Sequence, residues 1–413
     1  MIRIPKGTKD VLPDESYKWH FVENEIRSVT ALYNAKEIRT PTFEHTELFA
    51  RGVGETTDVV NKEMYTFLDR SDRSITLKPE GTAGVARSFI ENNLQQNLPL
   101  RTYYITPVFR YEKPQAGRLR EHHQFGIEYY GLDTPESDAE VISIAHTLFK
   151  RLGLYPKLYI NSIGCSTCRQ DYHKALKNYL VENVDKLCPT CQERLEKNPL
   201  RILDCKVPQC KELLKDAPSV LDYLCDDCKK HHDGVKHNLD LLGIEYEENP
   251  KIVRGLDYYT RTVFEFVSIG LGSQDTVCGG GRYNNLVESL GGKPVSAVGF
   301  GMGIERLLLT VEAMGKEIEN TEKPKVFVCN ASEKDYCVSL VNDLRNAGVS
   351  ALTEYGEKSI KSQMKYADKI GAEYTLVVGD REVETNVVTV KNMQNGTSEE
   401  IALNYVVEYL KRR

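Results

Sequence analysis

Residues 101–131 read RTYYITPVFRYEKPQAGRLREHHQFGIEYYG, and this run decides the kind of fold around it. Alternate positions put Tyr104, Thr106, Val108, Arg110 and Glu112 on one strand face, and Gln124, Gly126, Glu128 and Tyr130 on one face of a second strand. A basic connection with Lys113, Arg118 and Arg120 joins them. Arginine, glutamine and glutamate thus project together over one sheet surface. A charge among aromatic side chains is costly to desolvate unless it meets a partner or a ligand. Arg110 and Glu128 therefore have two readings. Either they satisfy each other as a structural ion pair, or Arg110 clamps a phosphate bidentately while Glu128 accepts a substrate ammonium.

Upstream, Trp19, Val22, Ile26, Val29 and Tyr33 recur at helical steps and form an apolar stripe that must pack against something. IRTPTFEH (38–45) reads as extended, the Gly-rich ARGVGETTDVV (50–60) as a loop, and Met64 to Leu68 as a short strand. LKPEGTAG (77–84) is a strand-to-helix turn, where Glu80 and Thr82 either wall a site or start a helix with Thr82 as its cap. Downstream, a helix over about 136–152 and the strand KLYINSIG precede a charged, helical insertion at about 165–240. Sheet character returns at RGLDYYTRTVFEFVSIG (254–270) and VSAVGFGMG (295–303), and IERLLLTVEAM (304–314) is a helix. Gly299, Gly301 and Gly303 alternate on their strand, so that either a ligand lies flat against the backbone or a neighbouring helix comes close. Arg306 one turn later, with Arg118 and Arg254, favours an anionic substrate. A polar, proline-ended stretch, EIENTEKP (317–324), closes this domain at 1–323. Residues 324–413 then alternate strand and helix as a second, α/β domain, with GTSEE (396–400) as a turn.

The chain has 413 residues, 40% hydrophobic and 28% charged, which excludes a disordered or fibrous protein and suggests two to four domains. A net charge of -6 excludes a uniformly basic nucleic-acid coat, so a phosphate-backbone partner needs a local basic surface. No apolar run approaches the ~20 residues that cross a bilayer, and the expectation is a cytoplasmic protein without membrane contact. Eight of the eleven cysteines lie in the insertion, as CSTC (165–168), CPTC (188–191), CKVPQC (205–210) and CDDC (225–228). In a reducing compartment this spacing favours thiolate metal ligands over disulfides. Cys188, Cys191, Cys205, Cys210, Cys225 and Cys228 are the candidate ligands of a structural Zn²⁺, eight thiolates being enough for two ions. Cys165 and Cys168, at a strand end, are set aside. The alternative is an insertion held by apolar contacts alone. His231, His232 and His237 read as solvated helix residues, like Lys229 and Lys230.

Four stretches occur in the order found in bacterial histidyl-tRNA synthetases, which are class II aminoacyl-tRNA synthetases. These are the first helix and strand up to Pro41, PVFRYEKPQAGRLREHHQFGIE (107–128), RGLDYYTRTVFEF (254–266) and AVGFGMGIERLL (297–308), with VCGGGRYNNLVESLGG (277–292) beside them. The chain resembles that family over nearly its whole length. The resemblance implies an α+β fold, with an antiparallel-sheet catalytic domain interrupted by the insertion and followed by an anticodon-binding domain. It implies ligation of L-histidine to tRNA(His) through histidyl-adenylate, with ATP as substrate and Mg²⁺ on its phosphates, by a homodimer paired through the first helix and strand. By position, Glu80, Thr82, Arg110, Gln124, Glu128, Arg254, Tyr258 and Tyr259 resemble the histidine-binding residues. Arg110, Glu112, Arg118 and Arg306 resemble those that hold ATP, and Arg254 and Arg110 are the catalytic pair; no cysteine takes part. Two rivals are a synthetase-like regulatory subunit of ATP phosphoribosyltransferase, which has degraded signatures, and a zinc-ribbon nucleic-acid-binding protein.

Overall fold

The computed structural model describes residues 1–54, 57–115, 117–197, 199–203, 205, 207–268 and 276–413. The chain divides into two compact units, Met1–Ile318 and Glu319–Arg413.

The first unit is built on eight strands: β1 (Lys36–Glu37), β5 (Leu100–Phe109), β6 (Glu121–Tyr130), β7 (Lys157–Ser162), β8 (Glu247–Glu248), β9 (Thr260–Val267), β10 (Thr276–Arg282) and β11 (Ala297–Gly303). Their order is β1-β5-β6-β11-β10-β9-β7-β8, antiparallel through the centre and parallel at the β1/β5 and β7/β8 edges, so the expected antiparallel sheet is mixed at its margins. A smaller sheet, in the order β2-β4-β3, holds β2 (Phe43–His45), β3 (Tyr65–Leu68) and β4 (Ser74–Leu77). The helices are α1 (Ser16–Leu32), α2 (Thr46–Val53), α3 (Thr82–Glu91), α4 (Pro135–Arg151), then α5 (Ser166–Glu182), α6 (Pro189–Lys197), α7 (Pro208–Leu213) and α8 (Asp226–Leu241) across the insertion, and α9 (Leu286–Ser289) and α10 (Ile304–Ala313).

Val22, Ile26 and Val29 of α1 are buried with residues of α4 and α10 in the chain's own core. The apolar stripe therefore needs no second chain to cover it. The segment read as a Gly-rich loop begins with the last turn of α2, whose Leu48, Phe49, Gly52 and Val53 face inward. A Cβ on Gly52 would meet Leu286 at 3.4 Å and Ala83 at 3.5 Å, ordinary contact distances, while Gly54 ends the helix at φ +104°. The insertion has its own small core around Tyr172, Leu176, Leu180, Leu195 and Ile202.

Two of the histidines read as solvated are buried. His231 Nε2 lies 2.8 Å from Asp138 of α4, and His232 Nε2 lies 2.8 Å from Glu248 of β8. They fasten α8 to the catalytic body, whereas His237 is exposed as expected.

The second unit has the sheet order β13-β12-β14-β15-β16, with β12 (Val326–Asn330), β13 (Ala351–Thr353), β14 (Tyr374–Val378), β15 (Val387–Asn392) and β16 (Ser398–Ala402). The first three strands are parallel, and β15 and β16 are antiparallel additions. Its helices are α11 (Lys334–Asn346), α12 (Ile360–Lys369), α13 (Asp380–Thr385) and α14 (Val406–Arg412). Val326 and Val328 enter one apolar cluster and Phe327 and Cys329 another, as expected of a strand buried on both faces. The expected GTSEE turn is largely β16, an edge strand too exposed to leave an alternating pattern.

Candidate active site

The β5/β6 hairpin, the β4–α3 turn, β10 and the start of α10 enclose a cavity of about 240 Å³. Glu80, Thr82, Arg110, Glu112, Arg118, Gln124, Arg254, Tyr258, Tyr259 and Arg306 all line it. Glu128 is fully buried, and its carboxylate takes bonds from the Thr82 hydroxyl at 2.7 Å, the Tyr104 hydroxyl at 3.2 Å and the Tyr283 hydroxyl. Burial pushes its pKa from 4.5 to about 8, against the pull of those hydroxyls.

Glu80 accepts from the Thr82 and Ala83 backbone N–H groups at 2.7 and 2.8 Å. The capping role expected of Thr82 thus belongs to Glu80, and the Thr82 hydroxyl is spent on Glu128. Burial raises the Glu80 pKa, partly opposed by the two N–H groups. Gln124 accepts from the Gly81 N–H at 3.0 Å. The glycines of β11 make room for these groups. A Cβ on Gly299 would meet the Glu128 carboxylate, and one on Gly301 would lie 2.5 Å from the Gln124 amide nitrogen. Gly299 thus makes room for protein groups, whereas Gly301 and Gly303 also line the cavity, where a ligand can lie against the backbone.

The other end of the cavity is basic. β5 ends at Phe109, so Arg110 and Glu112 lie beyond the strand. Arg110 Nε donates to Pro79 O at 2.8 Å, and no ion pair joins it to Glu128 among the described residues. Arg118 pairs with Glu112. Arg306 donates to Thr276 O at 2.5 Å and to Gly117 O at 3.0 Å, tying β10 to the hairpin loop. Burial and the neighbouring Arg110, Arg306 and Arg118 drive the His122 pKa down to about 3, leaving that ring neutral beside the guanidinium groups. Arg254 lies against Gly279, where a Cβ would stand 2.5 Å from its guanidinium nitrogens, and pairs with Glu265. Burial opposes the Arg254 charge, but Glu265 together with Tyr259 and Tyr258 more than offsets it and raises the pKa. Tyr258 and Tyr259, with ring centroids 4.7 Å apart, close the wall, and Tyr258 meets Tyr283 edge-on at 5.5 Å.

Several residues here were missed in the sequence reading. Glu265 is a charge between two phenylalanines on β9, the same signal that singled out Arg110 and Glu128. Tyr104 and Tyr283 carried no such signal. Glu305 accepts from the His123 backbone N–H at 2.9 Å and faces its ring at 3.0 Å, locking α10 onto β6.

The insertion cysteines also group differently. Cys165, Cys168, Cys225 and Cys228 form one cluster and Cys188, Cys191, Cys205 and Cys210 another. The pair that was set aside completes the first cluster, because β7 and α8 bring the two ends of the insertion together.

A sheet whose β5/β6 hairpin, glycine-bearing β11 and following α10 surround one cleft with carboxylates at one end and arginines at the other defines a class II aminoacyl-tRNA synthetase. Residues 7–307 match the family described as histidyl-tRNA synthetase, and residues 325–413 match the anticodon binding domain. The chain is 54% identical over 415 residues to the histidine-tRNA ligase of Caldanaerobacter subterraneus subsp. tengcongensis, covering 100% of each. It is 54% identical over 411 residues to that of Clostridium novyi, covering 98% of each. Among solved structures, apo S. aureus histidyl-tRNA synthetase superposes with a TM-score of 0.85 at 43% identity, covering 100% of both chains. An ATP phosphoribosyltransferase regulatory subunit/histidyl-tRNA synthetase from Bacillus halodurans, at 24% identity and a TM-score of 0.65 over 88% of this chain and 96% of that one, shares the fold. The chain belongs to the histidyl-tRNA synthetase family. Its activity is ATP-dependent ligation of histidine to tRNA through an adenylate.

Proposed function

We propose that the cavity activates histidine between its two chemically different ends. The observation that carries this reading is the convergence of Arg110, Arg254 and Arg306 on one cavity with Glu80, Gln124 and the two tyrosines. Glu80, Thr82, Gln124 and Glu128 hold the amino acid, and Tyr258 and Tyr259 wall its imidazole. Arg110 binds the ATP α-phosphate, Arg306 the γ-phosphate, and Glu112 and Arg118 complete the nucleotide end. A histidine carboxylate oxygen attacks the α-phosphorus in line, the bond to pyrophosphate breaks, and histidyl-adenylate remains. A ribose hydroxyl of the terminal adenosine of tRNA(His) then attacks the carbonyl and AMP leaves. Arg254 bridges the incoming carboxylate and the α-phosphate, supplying fixed positive charge where negative charge concentrates. Glu112 and Glu305 line the same cavity, so a Mg²⁺ travelling with ATP fits there. When bound it neutralises phosphate charge that the arginines leave.

The remaining assignments belong to the same reading. The catalytic domain is 1–323 with its insertion, and 324–413 grips the anticodon stem and loop. Lys361, Lys365 and Lys369 are exposed on α12, and Lys358 just ahead of it pairs with Glu354 at 3.0 Å. A homodimer is supported by apolar side chains left open on the small sheet, with Phe43 56%, Phe67 47% and Leu68 64% exposed. No helix among the described residues is long and apolar enough to cross a membrane; none of the eleven cysteines is in a disulfide, which suits the cytoplasm. The insertion cysteines suit Zn²⁺, with four sulfurs in each cluster within 4.8 Å of one another.

Pyrophosphate exchange measured without tRNA tests the reading. Exchange requires both ATP and histidine, and the same protein then charges a tRNA transcript carrying an extra 5′ guanosine better than one without it. Exchange that proceeds without histidine overturns it.

A further inference from the structure

The two cysteine clusters differ in what they are attached to. A tetrahedral ion with Zn–S bonds of about 2.3 Å requires sulfurs about 3.8 Å apart. Here Cys165 and Cys168 are 3.6 Å apart, Cys165 and Cys225 4.0 Å, and Cys188 and Cys205 3.9 Å. Each cluster also has a backbone N–H aimed at sulfur, from Cys225 to Cys168 at 3.1 Å and from Cys188 to Cys210 at 3.2 Å. In the first cluster Cys165 and Cys225 stand immediately ahead of α5 and α8, where helix N-termini favour thiolate.

This first cluster lies at the root of the insertion, beside the stretch that carries Tyr258 and Tyr259. Arg169, the residue after Cys168, donates from Nη2 to the Tyr259 carbonyl at 2.7 Å. The backbone just before Cys165 is joined to the same stretch, Ile163 N–H to Arg261 O at 2.8 Å and Arg261 N–H to Gly164 O at 2.9 Å. The second cluster lies farther out and meets the catalytic body through Arg194 and Arg201. Arg194 reaches Asp58 at 3.3 Å, and Arg201 reaches Gly255 O at 3.1 Å and Asp257 at 3.4 Å. Asp58 and Asp257 are 47% and 35% exposed, so these are pairs of the kind that contribute little.

We propose that the chain binds two Zn²⁺ ions with different tasks: a root ion on Cys165, Cys168, Cys225 and Cys228 that positions the Tyr258–Tyr259 wall through Arg169, and an outer ion on Cys188, Cys191, Cys205 and Cys210 that only folds the insertion. This rests on the assignment of that wall to the histidine imidazole. Each ion replaces thiol protons, which pass to solvent. Arg169 is a positioning residue, since it touches the Tyr259 backbone and not the substrate.

The test uses full-length protein purified without chelator, with zinc measured by mass spectrometry, Co²⁺ exchanged in for its thiolate absorption, and exchange kinetics for each substrate. Wild type carries two zinc ions, in line with its two clusters, and the double variants Cys165→Ser/Cys225→Ser and Cys188→Ser/Cys205→Ser carry one each. The root double variant raises KM for histidine about tenfold, equivalent to ~1.4 kcal/mol, with KM for ATP within about twofold. The outer double variant leaves both within about twofold. Arg169→Gln keeps both ions and raises KM for histidine alone, so the positioning role is decided even if the root double variant does not fold. Fewer than two ions in wild type, or an unchanged histidine KM in Arg169→Gln, overturns the proposal. A wild type that binds two ions but lacks exchange overturns the catalytic reading instead.

Discussion

Among the arginine-carboxylate pairs of the first unit, Arg282 with Asp138 and Arg254 with Glu265 stand in contrast. The side chains of the former are 0% exposed on both sides, and those of the latter 19% and 22%. Arg282 also donates to Leu132 O and Ser137 Oγ, both at 2.9 Å, and to Asp133 at 3.2 Å, while Asp138 receives His231 as well. Burial disfavours the Asp138 charge, but Arg282 and His231 more than compensate and hold its pKa low. Arg254 has a single carboxylate partner, and its Nε–H has no acceptor among the described residues. A guanidinium whose donors are all used holds a fold together. One with donors left over, at the wall of a cavity, is completed by a substrate.

The largest effect should come from the closed pair. Arg282→Ala leaves Asp138 buried with half its partners and should lower stability by about 3–5 kcal/mol in denaturant unfolding. A midpoint unchanged from wild type would erase the distinction. Arg254→Ala should do the opposite, leaving the unfolding midpoint in place while adenylate formation loses about 3 kcal/mol of transition-state stabilisation. Exchange within about threefold of wild type would put Arg254 on the structural side. A smaller loss should follow from ending the chain near Glu322. Exchange largely survives, but charging of tRNA falls by at least about tenfold, ~1.4 kcal/mol, and charging that stays level would deny the second unit a share in productive tRNA binding.

The subtlest effect concerns Glu128, whose pKa is raised from 4.5 to about 8. Between those values the folded chain keeps a proton that the unfolded chain has released, so this group's contribution to stability falls as pH rises through that window. Glu128→Gln cannot titrate, and its melting temperature relative to wild type should therefore climb from about pH 5 to about pH 8. A pH-independent difference would mean that Glu128 is already ionised in its bed of hydroxyls.

What could be read from the residues was what alternation and order expose. The β5/β6 hairpin and β11 with α10 follow from period-two patterning and the four ordered motifs, whereas Arg110 and Glu112, which alternation places on β5, lie beyond its end. The last turn of α2 is hidden because glycine is a loop signal, although Gly52 is buried on the helix beside Leu48, Phe49 and Val53. His231 and His232 were misjudged from charged neighbours, yet Cys228, Val235 and Leu239 flank them at helical steps and are buried too. Chain spacing could not assign Cys165 and Cys168, since their partners lie across the insertion and meet them only through tertiary folding. The acceptors around Arg282 are equally hidden, because Leu132, Ser137 and Asp138 are remote from it in sequence.

The strand order has a consequence for synthesis on the ribosome. β5 and β6 are neighbours in the chain, but the far edge of β6 pairs with β11, about 170 residues later, with the whole insertion made in between. At roughly 5–20 residues per second that edge waits roughly ten to thirty seconds for its partner. The insertion, with a core of its own, is complete well before then. The half-made molecule is therefore a folded knob beside an open, aromatic-rich strand, and that is the interval in which a chaperone, or a second nascent chain, has most to bind.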